Sequence, residues 1–303
     1  MKDIEDYLEK SPLEEIDLSL TTHPLLVKMM KEMLTTQNRL NCNFIGDDWK
    51  ERAAKHESID YLPTILDEAT ELMRSNTQWK FWKKAAAADH SNMNLELIDI
   101  LHFAMSEALC RAPNLESVSF EMAHWYQIAY NTQENGEEAL PHPLMAPSYD
   151  YQKKKQALFS FLAQAFLYYS VEENESVLEA ALNDIDFEEG VDIPAEVGEF
   201  RISSVDWMYF WLTAFNMGLT LETVYSTYVG KAALNALRIA KGDGRGEYHK
   251  QWWDEEEDNK YLMGYIEAQR VAGKVSELTV ETVGQWLEAE YTRFTKGMPP
   301  SSL

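Results

Sequence analysis

The chain has 303 residues, of which 45% are hydrophobic and 12% aromatic; this composition is typical of a folded globular protein with a sizeable core and excludes an intrinsically disordered one. The formal net charge of −24 argues against binding to a nucleic-acid polymer, because such binding needs a basic surface. Two cysteines, Cys42 and Cys110, cannot form a disulfide framework in a chain of this length and indicate a reducing compartment.

No secretory signal or membrane span is predicted. Residues 1–10 are acidic and contain no apolar run. The longest apolar stretch, Trp207 to Phe215, is far shorter than the roughly 20 residues that a bilayer requires. We therefore expect a soluble cytoplasmic protein without a membrane partner.

Apolar residues recur at helical spacing along most of the chain, and the Val/Ile-rich alternation of strands is nearly absent. The pattern predicts an all-α multi-helix bundle, a single domain over residues 1–303. In chain order, helices are predicted at 24–40, 62–83, 93–110, 116–131, 152–170, 204–217, 221–240 and 256–272. Proline clusters, or acidic residues mixed with Gly and Pro, predict surface insertions at 132–150 and 172–200. Residues 116–200 are therefore a less recognisable region of helices and insertions.

The first two predicted helices carry polar side chains at one-turn spacing. Gln37 and Asn41 are amides that both donate and accept hydrogen bonds, which suits a base edge, although such residues usually lie on the surface. Glu68 and Glu71 point the same way from the second helix. That pair alone is weak evidence, because charged residues normally stay in water. After it, Trp79 is a candidate for stacking on a base and Lys80 for contacting phosphate.

The third predicted helix is apolar around roughly two-thirds of its circumference, which predicts burial on most sides. Its remaining strip carries Glu96, Asp99, His102 and Ser106. Buried carboxylates without compensation cost several kcal/mol each. If this strip faces the glutamates of the preceding helix, four carboxylates converge, and an all-oxygen ligand set of this kind suits magnesium. The alternative is that this strip simply faces water, but its apolar surroundings are too wide for a surface helix.

Candidate anion-binding residues follow far downstream. Lys231, Asn235 and Arg238 share one stripe of a predicted helix. The next segment, Gly242–Lys250, is rich in glycine, and its backbone amides are suited to cradling phosphate. A solvated basic edge and a simple helix stop remain the alternatives for these two features.

The order of these motifs resembles the dimeric all-α deoxyuridine triphosphatases, within the MazG-like superfamily of nucleotide pyrophosphatases. The resemblance is carried by Gln37–Asn41, Glu68–Glu71, Trp79–Lys83, Glu96–Phe103, Tyr228–Arg238, Gly242–Lys250 and Glu257–Asn259. It is concentrated in residues 34–110 and 205–262. The chain departs from the family pattern at Ala232, at Asp243 and in the run Leu237–Lys241, which weakens the resemblance around the phosphate loop.

The resemblance implies a helical homodimer that hydrolyses dUTP, and often dUDP, to dUMP. It also implies a rigid core with four metal-binding helices and a mobile part that closes over substrate, with residues 116–200 as a candidate part of this lid. It implies that Glu68, Glu71, Glu96 and Asp99 bind two or more Mg²⁺ ions per site, with Mn²⁺ as a second candidate, and that one glutamate activates the attacking water. The nucleoside would be surrounded by Gln37, Asn41, Trp79, His102 and Asn235. The phosphates would be held by Lys80, Lys231, Arg238, Tyr248 and Lys250.

Four other functions are weighed against this one. Within the same superfamily, a dCTP pyrophosphatase is the main alternative, because an Asn or Gln amide can serve either pyrimidine, and an enzyme for purine deoxynucleotides is a further one. A di-iron carboxylate bundle normally needs two Glu-x-x-His motifs, whereas this chain has Glu-x-x-Asp with His102 nearby. A non-catalytic acidic adaptor would leave the buried acidic strip unexplained.

Overall fold

A computed structural model of the protein describes residues 22–55, 59–75, 89–134, 205 and 207–301. Within these ranges the regular elements are nine α-helices and three short 3-10 helices, with one isolated bridge between Gln251 and Glu257 and no strand. The α-helices are α1 (Pro24–Ile45), α2 (Trp49–Ala54), α3 (Tyr61–Ser75), α4 (His90–Arg111), α5 (Leu115–Glu134), α6 (Trp207–Asn216), α7 (Leu221–Ala240), α8 (Asp258–Val271) and α9 (Val280–Thr295). The 3-10 helices span Asp243–Arg245, Trp253–Glu255 and Val275–Glu277. The predicted all-α fold is confirmed.

Two of these helices are absent from the sequence prediction. Helix α2 has only six residues, too few for a periodic signal, and is held by the burial of Trp49. Helix α9 does carry a signal: Thr279 caps its first turn, and Val283, Leu287 and Tyr291 recur one turn apart and are buried. The predicted helix 152–170, both insertions and residues 76–83 of the second predicted helix lie outside the described residues.

Helix α4 is the central element of the bundle. Its residues Leu97, Ile98 and Leu101 are fully buried, and α1, α2, α3, α5 and α7 all pack against it. Hydrogen bonds tie the end of α3 to the start of α4, because Ser75 accepts from the Asp89 backbone at 3.2 Å and from the Asn92 side chain at 2.7 Å. The polar strip of α4 is thereby held beside α3.

Helix α7 connects this core to the carboxyl-terminal helices. The Tyr228 hydroxyl donates to the backbone oxygen of Met33 at 2.8 Å, which links α7 to α1 across 195 positions of the chain. On another face α7 packs against α8 and α9. None of the helices in the described ranges is long and apolar enough to cross a membrane.

Gly230 lies where α7 packs tightly against α8. A methyl group at this position would overlap the Cδ1 atom of Ile266, a residue that is 1% exposed, and would lie 3.1 Å from Leu262 Cδ1. We expect Gly230→Ala to lower the free energy of unfolding by about 1–3 kcal/mol, the usual cost of overpacking, as measured by urea denaturation. Adding Ile266→Val, which removes Cδ1, should recover part of the loss.

The matched control is Gly284→Ala in α9, where an added methyl group would have no neighbour within 4 Å. Because alanine favours a helix interior over glycine, this variant should gain up to about 1 kcal/mol. Equal effects of the two substitutions would contradict the proposed close packing at Gly230.

Candidate metal and nucleotide site

Helices α3 and α4 run antiparallel and present their acidic residues to one another. The first residue of α3, Tyr61, has its ring 6.5 Å from that of Phe103 in the middle of α4, whereas the last residue, Ser75, is bonded to Asn92 near the start of α4. Antiparallel packing therefore places the middle of α3, where Glu68 and Glu71 lie, opposite the segment of α4 that carries Glu96 and Asp99.

Carboxylate oxygens of Glu68, Glu96 and Asp99 lie within 4.8 Å of one another. We call these three residues the acidic triad. The Glu96 side chain is buried, and those of Glu68 and Asp99 are partly exposed, so the triad is open to a ligand on one side. Close, partly buried carboxylate oxygens are a ligand set that suits a hard divalent cation such as Mg²⁺.

The electrostatics of the triad fit the same interpretation. Burial, followed by the charges of Asp99, Glu96 and Glu71, raises the pKa of Glu68 to about 8, and Lys231 opposes the shift. Burial and the charges of Asp99 and Glu71 raise the pKa of Glu96 to about 7, while a 2.7 Å hydrogen bond from Asn92 lowers it. A bound cation would offset the charge repulsion that adds to the effect of burial on both pKa values. Glu71 lies outside the triad but near enough to act on two of its members.

A lysine balances one charge of the triad. Lys231 of α7 is 2% exposed, and its Nζ atom lies 2.8 Å from Asp99 Oδ2. The same ammonium donates to Asn259 Oδ1 at 3.3 Å. Lys231, predicted as a phosphate contact, is thus placed directly beside the triad.

Gln37, Asn41, His102 and Ser106 form a buried hydrogen-bond network, which we call the amide network. The Ser106 hydroxyl donates to the backbone oxygen of His102 at 2.8 Å. Its oxygen therefore accepts from both amides, Gln37 Nε2 at 3.1 Å and Asn41 Nδ2 at 2.9 Å. Gln37 Nε2 also donates to Asn41 Oδ1 at 3.0 Å. The orientation of each amide is thereby determined by its partners.

This network also determines the tautomer of His102. Burial lowers the pKa of His102 to about 4, so the imidazole is neutral at pH 7. Its Nδ1 atom lies 2.6 Å from Gln37 Oε1, which can only accept, so Nδ1 carries the proton. The buried Nε2 atom is then a hydrogen-bond acceptor, and it has no partner in the described part of the chain. The His102 ring packs on Tyr228, with the ring centroids 4.7 Å apart.

The other predicted anion-binding residues fall into two groups. Arg238 and Tyr248 both donate to the carboxylate of Asp258, which is fully buried. Within the described ranges Asn235 makes no side-chain hydrogen bond, and Lys250 is half exposed, 3.6 Å from Asp243. Trp79 and Lys80 lie outside the described residues. Sequence reasoning assigned Asp258 and Asn259 to the family pattern but gave them no role, because their pairing with Arg238 and Lys231 depends on how α8 packs against α7.

One known protein family matches the part of the chain that contains most of this site. The family model described as dUTPase matches residues 29–242, more than half of the chain. The match contains the acidic triad, the amide network and Lys231, whereas α8 and α9 lie beyond its end. No curated protein matches the chain.

The raised carboxyl pKa values predict that the metal-free protein loses stability as pH increases. The folded protein holds protons on Glu68 and Glu96 that the unfolded chain has already released, so the free energy of unfolding falls from about pH 4.5 up to about pH 8. With EDTA at pH 8, Glu68→Gln should therefore melt at a higher temperature than the parent. It should also lose most of the stabilisation that MgCl₂ confers on the parent.

The matched control for this measurement is Asp67→Asn, an exposed neighbour on the same helix. It removes the same charge but should leave the magnesium-dependent stabilisation unchanged. A Glu68→Gln protein that melts below the parent in EDTA, or that retains the full response to MgCl₂, would argue against the cation site.

Proposed function

Because the chain belongs to the dimeric all-α dUTPase family and is therefore a hydrolase of nucleotide phosphoanhydride bonds, we propose that it converts dUTP, and also dUDP, to dUMP in a Mg²⁺-dependent reaction. The observation that carries this proposal is the acidic triad, whose oxygens lie within 4.8 Å of one another with Lys231 at 2.8 Å from one of them. By analogy with the family, the protein acts as a homodimer.

Glu68, Glu71, Glu96 and Asp99 are the proposed metal ligands, for two or more Mg²⁺ ions per site. When bound, a divalent cation neutralises charge on the phosphate oxygens and lowers the pKa of a coordinated water. Glu71 lies outside the triad but close to it. A carboxylate that binds the cation less tightly than the triad does can accept a proton from the attacking water. This position supports Glu71 as the general base.

The proposed phosphate contacts are Lys231, Arg238, Tyr248 and Lys250, with Lys80 from the segment outside the described residues. In a chain of net charge −24, an anionic substrate needs local cations to offset the surrounding field. Lys231 provides one: its ammonium has three N–H donors, of which Asp99 and Asn259 engage two. The third N–H has no partner among the described residues, and we propose that it binds a phosphate oxygen.

The amide network supports uracil as the preferred base. His102 Nε2 is an acceptor, and uracil presents N3–H as a donor at the position where cytosine presents an acceptor. Gln37, Asn41 and His102 would line the nucleoside site, together with Asn235 and with Trp79 as a stacking residue. The di-iron alternative receives no support from this arrangement, since the metal-ligating cluster among the described residues contains carboxylates and no histidine.

The proposal is tested by a substrate panel of dUTP, dUDP, dCTP, dTTP, dATP and dGTP with MgCl₂, with products separated by chromatography. We expect dUTP and dUDP to be hydrolysed to dUMP with the highest kcat/KM. Asp99→Asn should remain folded and lower kcat on the order of 100-fold or more, because a lost ligand removes charge stabilisation of the transition state. The control is again Asp67→Asn, and a preference for dCTP would replace the uracil assignment.

Ser106→Ala tests the role of the amide network in base selection. The substitution removes the oxygen that accepts from both amides, so Gln37 and Asn41 each lose one of the hydrogen bonds that orient them. We expect the ratio of kcat/KM for dUTP over dCTP to fall about tenfold. An unchanged ratio would show that these amides do not select the base. The control is Ser119→Ala, a buried serine of α5 that bonds to its own helix backbone.

A further inference from the structure

The first turn of α8 contacts both basic residues of α7, the buried Lys231 and the partly buried Arg238. Asp258 and Asn259 are the first two residues of α8, and they bond to Arg238 and Lys231, respectively. We infer that Asp258 and Asn259 are positioning residues that hold these two cations for the phosphate chain, an inference that rests on the proposed function. Both lie beyond the matched residues 29–242, so the inference makes the carboxyl-terminal helices part of the catalytic unit.

The Asp258 carboxylate accepts four hydrogen bonds from described residues. Its Oδ1 atom accepts from Arg238 Nη2 at 2.6 Å and from the Asn259 backbone at 2.8 Å. Its Oδ2 atom accepts from Arg238 Nε at 2.9 Å and from the Tyr248 hydroxyl at 2.8 Å. Burial and the adjacent carboxylate raise the pKa of Tyr248, so its hydroxyl stays a donor. The fully buried carboxylate is thus satisfied without a further ligand.

This arrangement fixes the guanidinium of Arg238 and leaves part of it free. A bidentate pair holds the guanidinium plane in one orientation. Of the five N–H donors of arginine, Asp258 engages two. The side chain of Arg238 is 15% exposed, and the other N–H donors have no hydrogen-bond partner among the described residues. Asp258 therefore presents Arg238 in a defined orientation to an incoming anion.

Asn259 orients Lys231 without neutralising the positive charge of the ammonium group. Asp99 also binds this ammonium, but as a member of the acidic triad Asp99 is shared with the proposed metal site. The amide oxygen of Asn259 is neutral, so it adds a second point of attachment while the ammonium keeps its full charge. A defined direction for the remaining N–H bond follows from these two attachments. Within the described ranges, the Asn259 side chain has no other hydrogen-bond partner.

A purely structural role for α8 makes a different prediction from a positioning role. If Asp258 and Asn259 only stabilise the packing of α8, their replacement should weaken every part of the site in proportion to the loss of stability. If they orient Lys231 and Arg238, their replacement should impair interactions with the phosphates and leave the nucleoside end unchanged. The two roles are therefore separated by comparing a triphosphate substrate with a ligand that has no phosphate.

The decisive variant is Asn259→Ala, because Asn259 is only partly buried. We expect kcat/KM for dUTP to fall about tenfold, the scale of one charge-assisted hydrogen bond. The inhibition constant of 2′-deoxyuridine, which has no phosphate, and the melting temperature should stay close to those of the parent. Gln269→Ala in the same helix, a partly buried residue without a described side-chain hydrogen bond, is the control and should behave as the parent.

Asp258→Asn and Asp258→Glu form the second arm of the experiment. Asp258→Asn replaces an acceptor with a donor beside Arg238 and should lower kcat/KM by about 100-fold, with some loss of stability because the carboxylate is buried. Asp258→Glu keeps both acceptors and should restore part of the activity. Normal kcat/KM in Asn259→Ala, or equal losses for dUTP and 2′-deoxyuridine, overturns the inference alone. A parent that hydrolyses no deoxynucleotide overturns the proposed function and this inference together.

Discussion

Like-charge repulsion between Glu68, Glu96 and Asp99 is the interaction around which the described helices are arranged. Three carboxylates with oxygens within 4.8 Å would separate on flexible elements. Here they are held by α3 and α4, which are joined at Ser75 and Asn92 and packed through a continuous apolar core. Burial, together with this repulsion, raises the pKa values of Glu68 and Glu96. Such local loss of stability is common at functional sites and supports the proposed cation site.

Helix α4 combines two environments of opposite chemistry on one strip. Near its start, Glu96 and Asp99 form a charged region open to solvent on one side. One turn further, His102 and Ser106 belong to a closed neutral network with α1. A nucleotide has the same division, with charged phosphates at one end and a neutral base at the other. The order of residues along this helix therefore supports a nucleotide that lies with its phosphates near Glu96 and Asp99 and its base near His102 and Ser106.

The carboxyl-terminal helices hold two basic side chains of α7 in place in a protein that has few positive charges. Lys231 and Arg238 are both largely buried, and each is paired with an acid. These pairs hold the two side chains in place, so they do not turn towards other acidic residues. Asn259 and Asp258 come from one turn of α8 and reach two cations that lie two turns apart on α7. The close contact at Gly230 helps to bring the two helices together. Packing far from the carboxylates therefore contributes to the electrostatics of the site.

The sequence alone predicts the all-α class, most of the described helices and the residues of the acidic triad, because helical periodicity and one-turn spacing are local properties of the chain. It does not predict α2, which is too short to show a period, or the partners of Arg238 and Tyr248, which depend on Asp258. Nor does it predict the orientation of the Gln37 amide or the tautomer of His102. Those features arise only when α1, α4, α7 and α8 pack together, since a hydrogen bond between helices is determined by distances that local sequence does not encode.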